Sequence, residues 1–285
     1  MSESGAALPL FVRCTEEGAR AHAEALSKRL QRPLQVSVDQ RHEPAGQLLL
    51  EVGLRELSLR ASGRGAPGAL RVDFEGGATA HRRRFGGGKG QLIARAVGLD
   101  RVASLRIFDG TAGLGGDAFV LASLGAELWL FERSPVVAAL LRSGLERAGM
   151  SEDSALCTIV KRMRLYEQDL VSALTLSSPV ERALIPAPEI IYLDPMFPER
   201  KKKAKVKKEM SLLQQLLGDA GRAGEELLLA TALEHATHRV VVKRPRLAPP
   251  LTGPEPALQL RGSRCRFDIY PLRTIRSTQR ASEER

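Results

Sequence analysis

The apolar positions of this chain follow two regimes that meet near residue 80. Before that point, short runs with strand-like alternation surround one stretch of helical spacing. The runs cover residues 8–14, 34–38, 48–52, 57–61 and 70–74. The helical stretch covers 15–30, where Thr15 ahead of Glu16 and Glu17 suits a capped, acid-rich first turn. Residues 62–68, rich in glycine and proline, read as a turn. From Leu105 onward, apolar runs at 105–108, 128–131, 163–166, 190–193 and 239–242 are strand-like, with helices predicted at 117–124, 135–148 and 225–236. Strands separated by helices predict an α/β fold with a doubly wound, mostly parallel sheet. Two last runs, 257–260 and 265–270, suit an antiparallel hairpin at one sheet edge, and residues beyond Arg273 read as a polar tail. The expected organisation is a small N-terminal α+β domain (1–80), a basic, glycine-rich linker with a helix at 91–97 (81–104), the α/β domain (105–273) and the tail (274–285).

A chain of 285 residues, 43% of them hydrophobic, can build one sizeable core and a smaller companion. Cys14, Cys157 and Cys265 form no CxxC pair, have no histidine at ligand spacing and are odd in number, so neither a metal site nor a disulfide framework is expected. They read as small core residues in a reducing cytoplasm. His235 and His238 read as partners of a helix end rather than metal ligands. No apolar run reaches the roughly 18 residues that span a bilayer, and the first nine residues lack a signal-peptide pattern, so no membrane association is expected. Lys and Arg number 43 against 33 Asp and Glu, a net charge of +10, which favours a polyanionic partner without choosing one.

Two segments carry chemistry. The first, DGTAGLGGD from Asp109 to Asp117, follows a predicted strand and opens a predicted helix, the context of a nucleotide-binding loop. Gly113 and Gly115 let the backbone pass close to a ligand. Glu132, 23 residues after Asp109, ends the next strand, where an acid can accept ribose hydroxyls. A dinucleotide fingerprint ending in Ala118 also fits the spacing, but Asp109 and Asp117 would repel a pyrophosphate and suit the ammonium and sulfonium of S-adenosyl-L-methionine. The second segment is IIYLDPMFP, from Ile190 to Pro198. Asp194 and the Pro195 carbonyl would accept the two N–H groups of an exocyclic base amine and aim its lone pair. Phe197 would stack on the base. These residues leave several readings open: a methyltransferase of RNA, of DNA adenine or of protein glutamine, a dinucleotide-dependent oxidoreductase, or a bare RNA-binding module.

Seven separate motifs resemble one family: residues 81–90 (HRRRFGGGKG), DGTAGLGGDAF (109–119), FERSPVVAALL (131–141), YLDPMFP (192–198), VKKEM (206–210), VVVKRP (240–245) and RFDIY (266–270). Together they resemble the RsmJ-type methyltransferases, which methylate the N2 amine of a guanine in small-subunit (16S) ribosomal RNA. The resemblance implies a seven-stranded, Rossmann-like methyltransferase sheet. It also implies S-adenosyl-L-methionine held around Gly116 and Asp117, by Glu132 and Arg133, near Asp169 and Leu170, and by Asp194. The chain departs from the wider amino-methyltransferase pattern in carrying Met196 where a second proline is common and Thr111 at the first glycine of the loop. Two cationic stretches would grip the RNA backbone. One is the linker with Arg82, Arg83, Arg84 and Lys89. The other places seven cations in the nine residues from Arg200, including Lys201, Lys202, Lys203, Lys205, Lys207 and Lys208. Lys243 and Arg244 would extend that patch.

Overall fold

The computed structural model describes residues 8–35, 43–76, 87–175, 185–195, 208–217 and 224–275. Strands β1 (Leu10–Cys14), β2 (Leu34–Gln35), β3 (Leu48–Val52) and β4 (Leu57–Ala61) form a small sheet in the order β2-β1-β3-β4. Helix α1 (Arg20–Leu30) covers it with Ala23 and Leu26.

The larger sheet contains β5 (Arg106–Asp109), β6 (Glu127–Phe131), β7 (Met163–Tyr166), β8 (Ile190–Leu193), β9 (Arg239–Pro245), β10 (Leu258–Arg261) and β11 (Cys265–Pro271), in the order β10-β11-β9-β8-β5-β6-β7. The five strands β5 to β9 are parallel, and β11 and β10 join as the antiparallel edge hairpin. Parallel strands are covered on both faces, which is why β8 reads as four consecutive buried residues. The period of two then sorts side chains between two cores. Ile107, Leu128, Leu130, Ile190, Tyr192 and Val241 face α2 (Leu92–Val97), α3 (Gly116–Ser123) and α4 (Pro135–Gly149). Phe108, Trp129, Ile191, Leu193, Val240 and Val242 face α6 (Leu170–Thr175) and α8 (Glu225–His235). Between α4 and α6 lies α5 (Ser154–Val160), and α7 (Lys208–Leu217) precedes α8.

The first core continues without a break into the small sheet. Phe74 stacks on Phe119 of α3 with ring centroids 4.8 Å apart, and Val72 lies against Gly144 of α4. A Cβ on Gly144 would sit 2.4 Å from Val72 Cγ1 and 3.0 Å from the Val72 carbonyl oxygen. Because the backbone itself is in the way, Gly144→Ala is expected to lower stability by about 1–3 kcal/mol in urea unfolding. An unchanged midpoint would mean that this packing is loose.

Several expectations are corrected. Thr15 does not cap the first helix: its hydroxyl donates to the Val52 carbonyl at 3.0 Å, and a short 3-10 turn, Glu17–Ala19, precedes α1. Residues 70–74 form no strand, only a bridge from Leu70 to Leu59. Helices α5, α6 and α7 were not expected. Helix α5 is announced by Asp153, whose side chain accepts the Ala155 and Leu156 amides. The run ending at Lys208 gives way to α7 rather than to continuing loop. The chain stays packed past Arg273, since Ile275 is buried. The last ten residues lie outside the described ones, as do residues 36–38 of the second expected strand.

Candidate active site

The order of the larger sheet places the site. From β5 the chain winds outward through β6 and β7, then returns to place β8 on the other side of β5. Connections therefore leave the carboxyl ends of β5 and β8 in opposite directions, and the crevice between them is where ligands bind in open α/β sheets. Asp109 ends β5, Asp194 follows β8 and Glu132 follows β6, so all three carboxylates stand at this edge.

The loop from Gly110 to Gly115 is stitched to its neighbours. The Gly110 amide donates to the Tyr192 carbonyl at 3.0 Å and the Ala112 amide to that of Phe131 at 3.0 Å. Gly113 and Gly115 have φ of 53° and 74°, a left-handed region that favours glycine. A Cβ on Gly115 would also meet Leu141 at 2.7 Å. Gly116 opens α3 with nothing within 4 Å of a Cβ position. Glu132 is buried, and its two oxygens accept the Gly113 amide at 2.9 Å and the Ser134 amide at 2.7 Å. Burial pushes its carboxyl up, opposed by those N–H donors and by Arg133. Each oxygen retains a second lone pair for a sugar hydroxyl.

Asp109, 3% exposed, accepts the Thr111 amide at 3.1 Å. Burial pushes it up to about 8; the Thr111 amide opposes this, while Asp117, Asp194 and Glu132 reinforce it. The Asp194 amide donates to the Thr111 hydroxyl at 2.6 Å, locking the end of β8 to the glycine loop. Lys243 of β9 bridges the site, with its ammonium 2.7 Å from Asp117 Oδ2 and 2.7 Å from Asp194 Oδ2. Tyr192, fully buried, donates its hydroxyl to the same Asp117 oxygen at 2.7 Å. Burial raises Asp194 and Lys243 opposes it. The Asp194 side chain remains 39% exposed, and its Oδ1 receives no hydrogen bond from the described residues.

Asp117 and Asp194 share one ammonium, and with Asp109 and Glu132 at the same edge the carboxyl groups outnumber the cation and favour a cationic ligand. Glycines that clear the backbone, an acid with spare acceptor capacity and this anionic wall fit the ribose, ammonium and sulfonium of S-adenosyl-L-methionine, and oppose a pyrophosphate. Since a cation stabilises ionised Asp109, cofactor binding near pH 7 is expected to release a proton from it. Affinity is then expected to rise with pH until it levels off above about 8. Calorimetry in buffers of different ionisation enthalpy checks this, and no net proton release at pH 7 would contradict it.

The remaining expected residues divide. Asp169 accepts the Ser172 amide at 3.1 Å at the start of α6. Leu170 is fully buried beneath Gly110 and would meet a Cβ there at 2.5 Å. Pro195 is buried and Arg133 is exposed. Lys243 is corrected from a phosphate contact to an internal ion pair. Arg244 is also corrected: it is 3% exposed and donates to the Pro249 carbonyl at 3.1 Å. Lys89 donates to the Val102 carbonyl at 2.7 Å. Phe197, Arg82, Arg83, Arg84, Lys201, Lys202, Lys203, Lys205 and Lys207 lie outside the described residues, as does the Lys208 side chain. Sequence reasoning missed the roles of Thr111, Tyr192 and Lys243. Thr111 carried a signal, as the departure from glycine in the loop.

His235 bonds the Thr231 carbonyl at 2.9 Å through Nδ1. Among the described residues no group of three or more His, Cys, Asp or Glu is placed to hold a metal, and no helix is long and apolar enough to cross a membrane.

The SAM_MT family model, described as a SAM-dependent methyltransferase, matches residues 33–272. A crystal structure of a SAM-dependent methyltransferase from Neisseria gonorrhoeae superposes with a TM-score of 0.66 at 34% identity, covering 92% of this chain and 95% of that one. Fold, loop and family together define an S-adenosyl-L-methionine-dependent methyltransferase. Ribosomal RNA small subunit methyltransferase J of Pseudomonas fluorescens (strain Pf0-1) is 46% identical over 97% of this chain and 100% of its own length. The same-named protein of Pseudomonas aeruginosa (strain UCBPP-PA14) is 49% identical over 91% and 92%. The chain belongs to the ribosomal RNA small subunit methyltransferase J family.

Proposed function

We propose that this enzyme transfers a methyl group from S-adenosyl-L-methionine to the exocyclic N2 amine of a guanine in small-subunit ribosomal RNA, in the cytoplasm. The observation that carries the reading is Asp194. It stands at the mouth of the switch-point crevice, fixed by Thr111 and Lys243, with one carboxylate oxygen open.

When bound, the cofactor supplies an electrophilic methyl on sulfur. The chain's task is to orient an amine whose lone pair is delocalised into a purine ring. Asp194 Oδ1 and the Pro195 carbonyl accept its two N–H groups, shifting density to nitrogen and setting the lone pair toward the cofactor. The amine needs no prior deprotonation, because its proton becomes acidic only as the new C–N bond forms, and Asp194 is then at hand to receive it. Phe197 is assigned to stack on the base, worth about 1–3 kcal/mol. Asp109, Gly113, Gly115, Gly116 and Asp117, with Glu132, Arg133, Asp169, Leu170 and Asp194, are assigned to the cofactor.

Arg82, Arg83, Arg84 and the lysines from Lys201 to Lys208 are assigned to RNA backbone. Replacing Lys201, Lys202, Lys203 and Lys205 with alanine is expected to reduce the log–log salt slope of RNA binding by about 0.7–0.9 per lost contact, with cofactor affinity unchanged. An unchanged slope would mean that the run does not touch phosphate. The substrate class is tested by offering labelled cofactor and separate pools of small-subunit RNA, large-subunit RNA, DNA and protein. Label is expected in small-subunit RNA, and preferential label in DNA or protein would overturn the proposal.

A further inference from the structure

Lys243 stands where the inner face of β9 passes from core to site. Val241, two residues earlier on the same face, is fully buried in the first core, whereas Lys243 turns its ammonium to two carboxylates on different elements. One is Asp117, in the first turn of α3 beside the cofactor loop. The other is Asp194, after β8. A partly buried ion pair of this kind is a weak source of stability, since desolvation offsets much of the attraction, and apolar residues often serve as well. Its geometry suits another task. Both contacts are 2.7 Å, and Tyr192 shares the Asp117 oxygen, so the carboxylate of Asp194 is held through one oxygen while the other stays open.

We infer that Lys243 is a positioning residue for methyl transfer: by bridging Asp117 and Asp194 it keeps the Asp194 carboxylate ionised and oriented toward the target amine. The inference rests on the assignment of Asp194 as the amine's acceptor. Among the described residues, the charged and titratable groups facing Asp194 are Lys243 and Arg244 from β9, Asp117 from α3, Asp109 from β5 and Tyr192 from β8. Burial and Asp117 push the Asp194 carboxyl up, while Lys243 and, more weakly, Arg244 hold it down. Without the ammonium, Asp194 faces two other carboxyl groups in a partly enclosed site and takes up a proton at higher pH. A protonated Asp194 no longer offers a charged acceptor.

The test compares wild type, Lys243→Met and Lys243→Arg. Carbon-13 NMR of labelled aspartate follows the Asp194 carboxyl in the free protein, with Asp194→Asn identifying its signal. The midpoint is expected to rise by about 1–3 pH units in Lys243→Met and to stay near wild type in Lys243→Arg. With saturating cofactor and small-subunit RNA, kcat of Lys243→Met at pH 7 is expected to fall about 10- to 100-fold and to recover as pH rises through the shifted midpoint. Asp109 interacts with both Asp117 and Asp194, so its own carboxyl signal is followed in the same spectra and separated from that of Asp194. In the Asp194→Asn background, Lys243→Met is expected to add little further loss. If Lys243→Met does not fold, Lys243→Gln carries the same measurements. An unmoved Asp194 midpoint, or a kcat loss independent of pH, would make Lys243 a structural residue only. A wild-type enzyme that methylates no guanine would instead sink the functional reading and with it the role in methyl transfer, whereas the carboxyl titration separately decides whether Lys243 holds Asp194 ionised.

Discussion

Asp194→Asn is expected to lower kcat about 10²–10³-fold at saturating cofactor and RNA, on the scale of removing one electrostatic contact made in the transition state. The amide keeps the shape and one acceptor oxygen but loses the charge that polarises the amine and receives its proton. It also leaves the Lys243 ammonium, which sits 2.7 Å from both Asp194 Oδ2 and Asp117 Oδ2, with Asp117 as its remaining charged partner. Cofactor affinity therefore has to be measured separately by calorimetry, so that a binding loss is not counted as a chemical one. The fold is expected to survive, because the Asp194 backbone amide keeps its bond to Thr111. Near-normal turnover under saturation would remove Asp194 from the chemistry.

Glu132→Ala is expected to act on the cofactor instead. Its carboxylate now organises the loop by accepting the Gly113 and Ser134 amides, and its spare lone pairs are assigned to the ribose. The substitution leaves two amide donors unpaired in a buried place. It also deletes one or two charge-assisted hydrogen bonds to the ligand, at roughly 1.5–3 kcal/mol each. Calorimetric affinity for S-adenosyl-L-methionine is expected to fall by about tenfold to more than a hundredfold, with Glu132→Gln intermediate because it retains an acceptor oxygen. Unaltered affinity in Glu132→Ala would place the ribose elsewhere.

Much of the larger sheet was legible because its central parallel strands, buried on both faces, are apolar along their length, and its edge strands still carry short apolar runs. The strands at 163–166 and 190–193 match the structure residue for residue, and the edge hairpin lies within a residue at each end. The positions of Asp109 and Glu132 at the ends of neighbouring strands were legible because the strand–loop–helix–strand order sets them there. The expected strand at 70–74 failed because pairing stops at the single Leu70–Leu59 bridge, while Leu70, Val72 and Phe74 still pack into the core. Helices α5 and α6 span only seven and six residues, too short for periodicity to separate them from loop.

The Lys243 bridge was not legible for a different reason. Local sequence shows Lys243 beside Arg244 and Arg246, a basic cluster like any surface patch. Its partners are Asp117, 126 residues earlier, and Asp194, 49 residues earlier, and only the strand order brings them together. The side chain that looked like RNA grip is thus part of the anionic site, while its neighbour Arg244 is buried near the end of β9, an interior strand.

The most direct test of the account is the identity of the methylated nucleoside. Unmodified small-subunit RNA or subunits would be incubated with enzyme and labelled S-adenosyl-L-methionine, digested, and resolved by chromatography and mass spectrometry. Label is expected in N2-methylguanosine with wild type and is expected nearly to disappear with Asp194→Asn under the same saturating conditions. Label in a different nucleoside, or undiminished N2-methylguanosine from Asp194→Asn, would contradict it.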